Sequence, residues 1–217
     1  MTQRTPPQHT SNGRTITVGV TGASGALYAR AILQHLEADP RVSKIFLVIS
    51  ETGLRLIATE LNVVSQDPQK LPSLLIDGRA AKTTYLPNKD VGATIASGSA
   101  PVDAMVVIPC SAGALAKIAH GLAEDLLSRA SDVCLKERRP IVLCIRETPF
   151  NRIHLENMLR AHDAGAVIMP AMPAFYYGPK KIDDLAEQYV CRVLSQIDLP
   201  QDSQYRWSGT RGSGIEV

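Results

Sequence analysis

The 217-residue sequence has no apolar run approaching the roughly 20 residues needed to cross a bilayer, and its first 14 residues lack the apolar core of a signal peptide. No membrane association is expected, and the chain reads as cytoplasmic. Aromatic residues are scarce, at 5%, with Trp207 the single tryptophan, and the formal net charge is only +2. The basic residues are scattered or locally paired, as in Lys136-Glu137-Arg138-Arg139. With neither a basic stripe nor aromatics to stack bases, nucleic acid is not an expected partner. The four cysteines, Cys110, Cys134, Cys144 and Cys191, form no Cys-x-x-Cys pair and fall in apolar or helical patterns, which suits reduced core thiols and not disulfides or zinc. Histidines are absent from every position that follows a strand, so a Ser-His-Asp triad is unsupported and no metal is expected.

What is present is an alternation of apolar runs and helical stripes. A hydrophobic content of 45% with no break in composition suits one domain with one core. Residues 1–14 read as a loose arm, 15–200 as the folded domain and 201–217 as a tail, with Trp207 packing that tail on a neighbouring subunit. The run Ile16 to Val20 predicts a buried strand. Thr21-Gly22-Ala23-Ser24-Gly25-Ala26 follows as a tight turn, and Leu27 to Leu36 continues with helical periodicity. Ser24 stands where that helix starts, and the N-terminus of a helix is a natural seat for a phosphate or an electron-rich ring. Strands are predicted again at 43–50, 82–86, 104–110, 141–145 and 166–169, and helices at 53–60, from Leu115 onward, at 125–138, 152–162 and 183–197. Between 62 and 95, Pro68, Pro72 and Pro87 break every pattern except the short strand, so this stretch reads as a loop-rich excursion.

Strands alternating with helices predict a doubly wound, Rossmann- or flavodoxin-like α/β domain, a parallel sheet with helices on both faces. Ligands of such sheets lie beyond the carboxyl ends of the strands. Those ends carry Gly22-Ala23-Ser24, Ser50, Ser111-Ala112-Gly113-Ala114, Arg146-Glu147 and the loop from Pro170 to Tyr177. Backbone N–H groups and cationic side chains of this kind suit an anionic, planar or phosphorylated ligand. A dinucleotide is a poor candidate, because Gly19-x-x-Gly22-x-x-Gly25 departs from the Gly-x-Gly-x-x-Gly spacing. Tyr176-Tyr-Gly-Pro-Lys180 has the letters of a dehydrogenase Tyr-x-x-x-Lys pair, but Gly178 and Pro179 oppose the continuous helix that pair needs.

Several motifs recur in the order of one family. They are Thr21-Gly-Ala-Ser-Gly-Ala26, Ala96-Ser-Gly-Ser99, Pro109-Cys-Ser111 with Gly113, Leu135-Lys-Glu-Arg-Arg-Pro140, Arg146-Glu-Thr-Pro149, His154-Leu-Glu-Asn-Met158 and Pro173-Ala-Phe-Tyr176. From about Thr17 to Trp207 the chain resembles the UbiX-type flavin prenyltransferases, within the wider flavoprotein group that includes FMN-dependent cysteine decarboxylases. The resemblance implies transfer of a dimethylallyl group from dimethylallyl phosphate to reduced FMN, forming bonds at N5 and C6 without a metal, with a UbiD-type decarboxylase receiving the prenylated FMN. It implies flavin contacts at Gly22, Ala23, Ser24, Ser50, Ser111, Ala112, Gly113, Ala114 and Arg146. The donor phosphate is implied to meet Ser97, Gly98, Arg129, Lys136, Arg146, Tyr176 and Arg192. Ser24, Glu60, Glu147 and Lys136 take the catalytic roles, and a homododecamer with sites at subunit interfaces is implied as well.

The chain departs from its relatives in two places. Ala112 and Ala114 stand where relatives often carry hydroxyls, and Val91, Gly92 and Ala93 stand where some carry a tryptophan before Ala96-Ser-Gly-Ser99. The residues also admit plainer roles. Ser24 can be a helix cap, Glu60 an exposed helix end, Glu147 a partner of Arg146, Lys136 and Arg129 solvated charges, Tyr176 and Arg192 interface packing, and Cys110 a buried thiol. The functional alternatives are an FMN-dependent cysteine decarboxylase, which needs a catalytic histidine and an Asn-bearing substrate motif, and a non-catalytic flavin-binding protein, which needs no cationic phosphate clamp.

Overall fold

The computed structural model describes residues 13–206; the arm before Gly13 and the tail from Trp207 onward, including that residue's expected packing on a neighbour, lie outside the described residues. Six strands form one parallel sheet: β1 (Arg14–Val20), β2 (Val42–Ile49), β3 (Thr83–Pro87), β4 (Ala104–Cys110), β5 (Ile141–Ile145) and β6 (Val167–Ile168). Their order across the sheet is β3-β2-β1-β4-β5-β6. The strand that opens the fold begins at Arg14, the last residue of the segment read as an arm. Arg14 is buried, with Nη1 donating to the Ile197 carbonyl at 2.5 Å. β4 and β5 coincide with the predicted runs, because β-branched and apolar residues buried on both faces leave a continuous pattern bounded by polar turns.

Helices cover both faces. α1 (Ala26–Ala38), α3 (Leu71–Ile76) and α7 (Ile182–Ser195) pack on one core around Val18, Ile45, Val106 and Val142; α2 (Glu51–Leu61) joins it through Ile57. The opposite core is built by α4 (Ala112–Ala119), α5 (Leu126–Lys136) and α6 (Arg152–Asp163) against Val48, Met105, Val107 and Leu143. α3 is the element missing from the sequence-based expectation. Its prolines sit where a helix tolerates them: Pro68 opens a 3₁₀ turn and Pro72 occupies the first turn of α3, where the missing N–H would have no partner anyway. Leu71, Leu75 and Ile76 are buried, so burial of one face outweighs the low helical propensity of so short a segment.

The order places the reversal of winding between β1 and β4, and the crevice at their carboxyl ends is where such a sheet receives a ligand. Thr21 and Pro109 hold its two lips together. The buried Thr21 hydroxyl donates to the Pro109 carbonyl at 2.9 Å and accepts from the Ser111 N–H at 2.8 Å.

Candidate ligand site at the β1–β4 crevice

A cleft of about 220 Å³ opens between these lips. Its wall includes Gly22 from the β1 turn, Ser50 and Thr52 from the start of α2, Ser111, Gly113 and Ala114 from the start of α4, and Asp125 and Ser128 from the start of α5. Three helix N-termini therefore face one space, because each helix begins where its chain leaves the crevice side of the fold. All three are closed by their own caps, α5 by Asp125, which accepts from the Ser128 N–H at 2.9 Å. Ser50 Oγ accepts from the Gly53 N–H at 3.0 Å, and Ser111 Oγ accepts from the Ala114 N–H at 3.2 Å. Capping leaves the amides of Ala112 and Gly113, in the first turn of α4, with no intrahelical acceptor. Gly22 has no room for a side chain, since an added Cβ would overlap the Thr52 hydroxyl and Cβ.

The first turn of α1 is arranged differently from the sequence expectation. Gly25 is the N-cap residue, with φ at 120°, and no side chain of the turn caps the helix. Instead Glu60, near the end of α2, reaches across: its Oε2 accepts from the Gly25 N–H at 2.9 Å and the Ala26 N–H at 2.8 Å. Burial pushes this carboxyl up, but the two amides, the Ser24 hydroxyl and the charge of Arg146 outweigh it, holding the group below its ordinary value. Ser24 is thus a partner of an ionised carboxylate and not a helix cap. Arg146 follows β5, and its own N–H donates to the Cys110 carbonyl at 3.0 Å. Its Nε is buried and has no acceptor among the described residues. A buried guanidinium N–H without a partner is costly unless a ligand supplies one. Glu147, beside it, accepts from the Thr148 N–H at 2.9 Å through Oε1.

The remaining predicted residues fall into two groups away from the crevice. Ser97, Gly98, Arg129 and Lys136 form one cluster on the α5 face. Arg129 Nε donates to the Ala96 carbonyl at 3.2 Å, Arg139 Nη2 donates to the Gly98 carbonyl at 2.6 Å, and Lys136 pairs with Glu137. Gly98 and Arg139 precede β4 and β5, so this cluster lies toward the amino ends of the strands. A Cβ at Gly98 would collide with Lys136 Nζ and Glu137. Tyr176 and Arg192 belong to a second group, lining a pocket of about 260 Å³ with Tyr177, Gln188, Tyr189 and Tyr205. Tyr189 packs in the α1–α7 core, so the sheet separates this pocket from the Lys136 cluster. In a single chain the cations expected around one phosphate are divided between three places: Arg129 and Lys136, Arg192, and Arg146 after β5.

Cys110 is wholly buried and burial pushes its thiol well up, which leaves it without nucleophilic character. Cys134 and Cys144 are likewise pushed up, to about 12. His120 Nε2 lies 3.0 Å from the Asn157 Oδ1 in a contact between α4 and α6, and Asn157, from the His154–Met158 motif, is buried there. Sequence reasoning missed Thr21, Thr52, Asn88, Lys117, Asp125 and Ser128 as parts of the site. Asp125 and Ser128 form a capping box at α5, and an Asp ahead of an apolar stripe was a legible signal for that cap. Asn88, whose Oδ1 accepts from the Leu127 N–H at 2.9 Å, lies 39 residues upstream of its partner and had no local signature.

Comparison with known proteins agrees with the geometry. A family model described as Flavoprotein matches residues 4–191. The chain is 44% identical over 194 residues to the flavin prenyltransferase UbiX of Salmonella typhimurium, covering 88% of this chain and 97% of the relative. A crystal structure of AnUbiX (PadA1) in complex with FMN and dimethylallyl pyrophosphate superposes with a TM-score of 0.79 at 39% identity, covering 91% of this chain and 99% of that one. A dodecameric FMN-dependent UbiX-like decarboxylase from Escherichia coli O157:H7 gives a TM-score of 0.79 at 40% identity, over 90% of this chain and 100% of that chain.

Proposed function

We propose that this chain, which belongs to the flavoprotein family and within it to the UbiX-type flavin prenyltransferases, joins the dimethylallyl group of dimethylallyl phosphate to reduced FMN at N5 and C6. The product would serve a UbiD-type decarboxylase. The observation that carries this reading is the crevice itself: first-turn amides of α4 and the Gly22 wall converge there, Arg146 after β5 keeps a buried Nε without an acceptor, and AnUbiX, a relative of the same fold, binds FMN together with a prenyl diphosphate. The residues present fit a flavin. Gly22 and Ala23 allow close backbone approach, Ser50 and the Ser111–Ala114 turn offer hydroxyl and amide donors, and Arg146 needs an acceptor.

FMN, when bound in its reduced form, supplies the electron-rich ring that receives the prenyl group. The protein's part is to bind, orient and move charge. Glu60 is ionised at neutral pH and hydrogen-bonded to Ser24, so it can hold the Ser24 hydroxyl in one orientation and take a proton through it. A leaving phosphate needs cations, and Lys136, Arg129 and Arg192, with the Tyr176 hydroxyl and the Ser97–Gly98 turn, supply them through charge-assisted bonds. In this reading Glu147, next to Arg146 in the chain, handles protons on that phosphate. Because the two cationic groups lie on opposite sides of one sheet, this reading requires neighbouring copies to complete each site, and one UbiX-like relative is dodecameric.

The test is anaerobic incubation of the protein with reduced FMN and either dimethylallyl phosphate or dimethylallyl diphosphate, followed by mass spectrometry of the flavin. A flavin heavier by one C5 unit is expected. An unchanged flavin with both donors would overturn the proposal.

A further inference from the structure

The cleft contains a cation that neither the motifs nor the phosphate clamp account for. Lys117 lies on α4, one turn beyond Ala114, and lines the same wall; among the described residues lining this cleft it is the one cationic side chain. Its Nζ reaches Asp125 Oδ2 at 3.1 Å and Glu124 Oε2 at 3.4 Å, and the side chain is 39% exposed. Asp125 is fixed in place. It caps α5 by accepting from the Ser128 N–H and Oγ at 2.9 and 2.8 Å, and it is ionised, because these bonds and Lys117 overcome the upward push of burial. The cleft that offers amides and hydroxyls to an anion therefore also carries a fixed negative charge in its wall, and Lys117 stands against that charge.

We propose that Lys117 recognises the terminal phosphate of the flavin beside the free first-turn amides of α4 and screens that phosphate from Asp125. This rests on the reading of the cleft as a flavin site. Two consequences separate it from a plain surface ion pair. The Lys117 ammonium is free to turn because its stem is flexible and partly exposed, whereas Asp125 is held by the α5 cap. Removing Lys117 also does more than delete one attraction, since it leaves an ionised carboxylate facing the phosphate.

The experiment is a flavin titration of the full chain, followed by quenching of flavin fluorescence, with FMN and with riboflavin. For Lys117→Met the Kd for FMN should rise about tenfold, the scale of one charge-assisted bond, with the Kd for riboflavin within about twofold of wild type. Lys117→Arg should retain most of the FMN affinity. In Lys117→Met/Asp125→Asn, where Asn preserves the helix cap, part of the lost FMN affinity should return. Equal losses for FMN and riboflavin, or no loss for either, would overturn the assignment. So would unchanged FMN binding with a raised KM for dimethylallyl phosphate, which would assign Lys117 to the donor. A wild-type protein that binds neither flavin would instead refute the flavin reading on which the inference stands.

Discussion

Asp39 offers the sharpest test of how the fold is held, because its charge is nearly enclosed and its partners are fixed. The residue caps the end of α1, and its side chain is 3% exposed. Arg41 donates to it from the backbone N–H, Nε and Nη2, with the Nη2 contact at 2.6 Å, and Gln201 Nε2 donates at 3.1 Å. Arg41 also reaches the Pro200 carbonyl at 2.9 Å, so one carboxylate ties the α1–β2 turn to the segment that follows α7. The Arg41 hydrogen bonds are the main cause, burial opposes them, and the Asp39 carboxyl falls from 3.8 to about 2. A difference of nearly two units is worth about 2 kcal/mol in favour of the folded state. Because the folded value is the lower one, this stabilisation is complete above about pH 5, declines as pH falls through 4, and is gone below about pH 2. Asp39→Asn preserves size and one acceptor but removes the charge. It should cost about 2 kcal/mol at pH 7, a fall in Tm of about 4–8 °C for a chain of this length. Thermal melts at one protein concentration, at pH 7, 5, 4 and 3, should show the gap between wild type and variant closing on the acid side. A gap that keeps its full size from pH 7 to pH 3 would refute the electrostatic account and point to packing.

Thr21→Val keeps the shape of the side chain but leaves the Ser111 N–H without its acceptor and the Pro109 carbonyl with only the Thr21 backbone N–H. It should cost about 2 kcal/mol in urea unfolding and weaken FMN binding, and a neutral result would show that water replaces the hydroxyl. Glu60→Gln keeps an acceptor for Gly25 and Ala26 but loses the charge; formation of the C5-bearing flavin should fall about 100-fold or more with FMN affinity within about threefold of wild type. A matching loss of both would make Glu60 a structural cap only. Lys136→Ala and Arg192→Ala should each raise the KM for dimethylallyl phosphate while FMN binding by fluorescence is retained. Equal loss of both ligands would remove these residues from the donor clamp.

The strands and long helices were legible because burial on both faces leaves unbroken apolar runs and burial on one face leaves a helical stripe. β4 and β5 match residue for residue. α3 was hidden because its six residues are too short for a periodic signal and its prolines read as breakers until burial of Leu71 and Leu75 is known. At the site, the turns after β1, β2, β4 and β5 were legible, since glycine and serine after an apolar strand mark a chain that must turn and cap. What could not be read was side-chain reach across the fold. The Glu60 bonds to α1 span 34 and 35 residues, and the Arg139 bond to Gly98 spans 41. The sequence motifs also give the residues proposed for the donor clamp without the distance between them; only the three-dimensional arrangement divides Lys136 from Arg192 across a sheet.

That division bears on the opening turn, whose glycines and serine first suggest a seat for an outside phosphate. The first-turn amides of α1 already hold an anion, the Glu60 carboxylate, and a phosphate could enter only by displacing two bonds to a charged group. Displacement would cost more than the amides could return, because the expelled carboxylate would remain nearby and repel the newcomer. The N-terminus of α1 therefore serves to keep Glu60 ionised next to Ser24, while the places open to an outside anion are the α4 amides, Lys117 and the unpartnered Arg146 Nε. A helix N-terminus filled from within holds an ionised carboxylate beside Ser24, which on the proposed reading is the proton acceptor. The proposed reading thus gives acid–base work to the α1 N-terminus and anion binding to the α4 N-terminus, two helices of the same sheet edge.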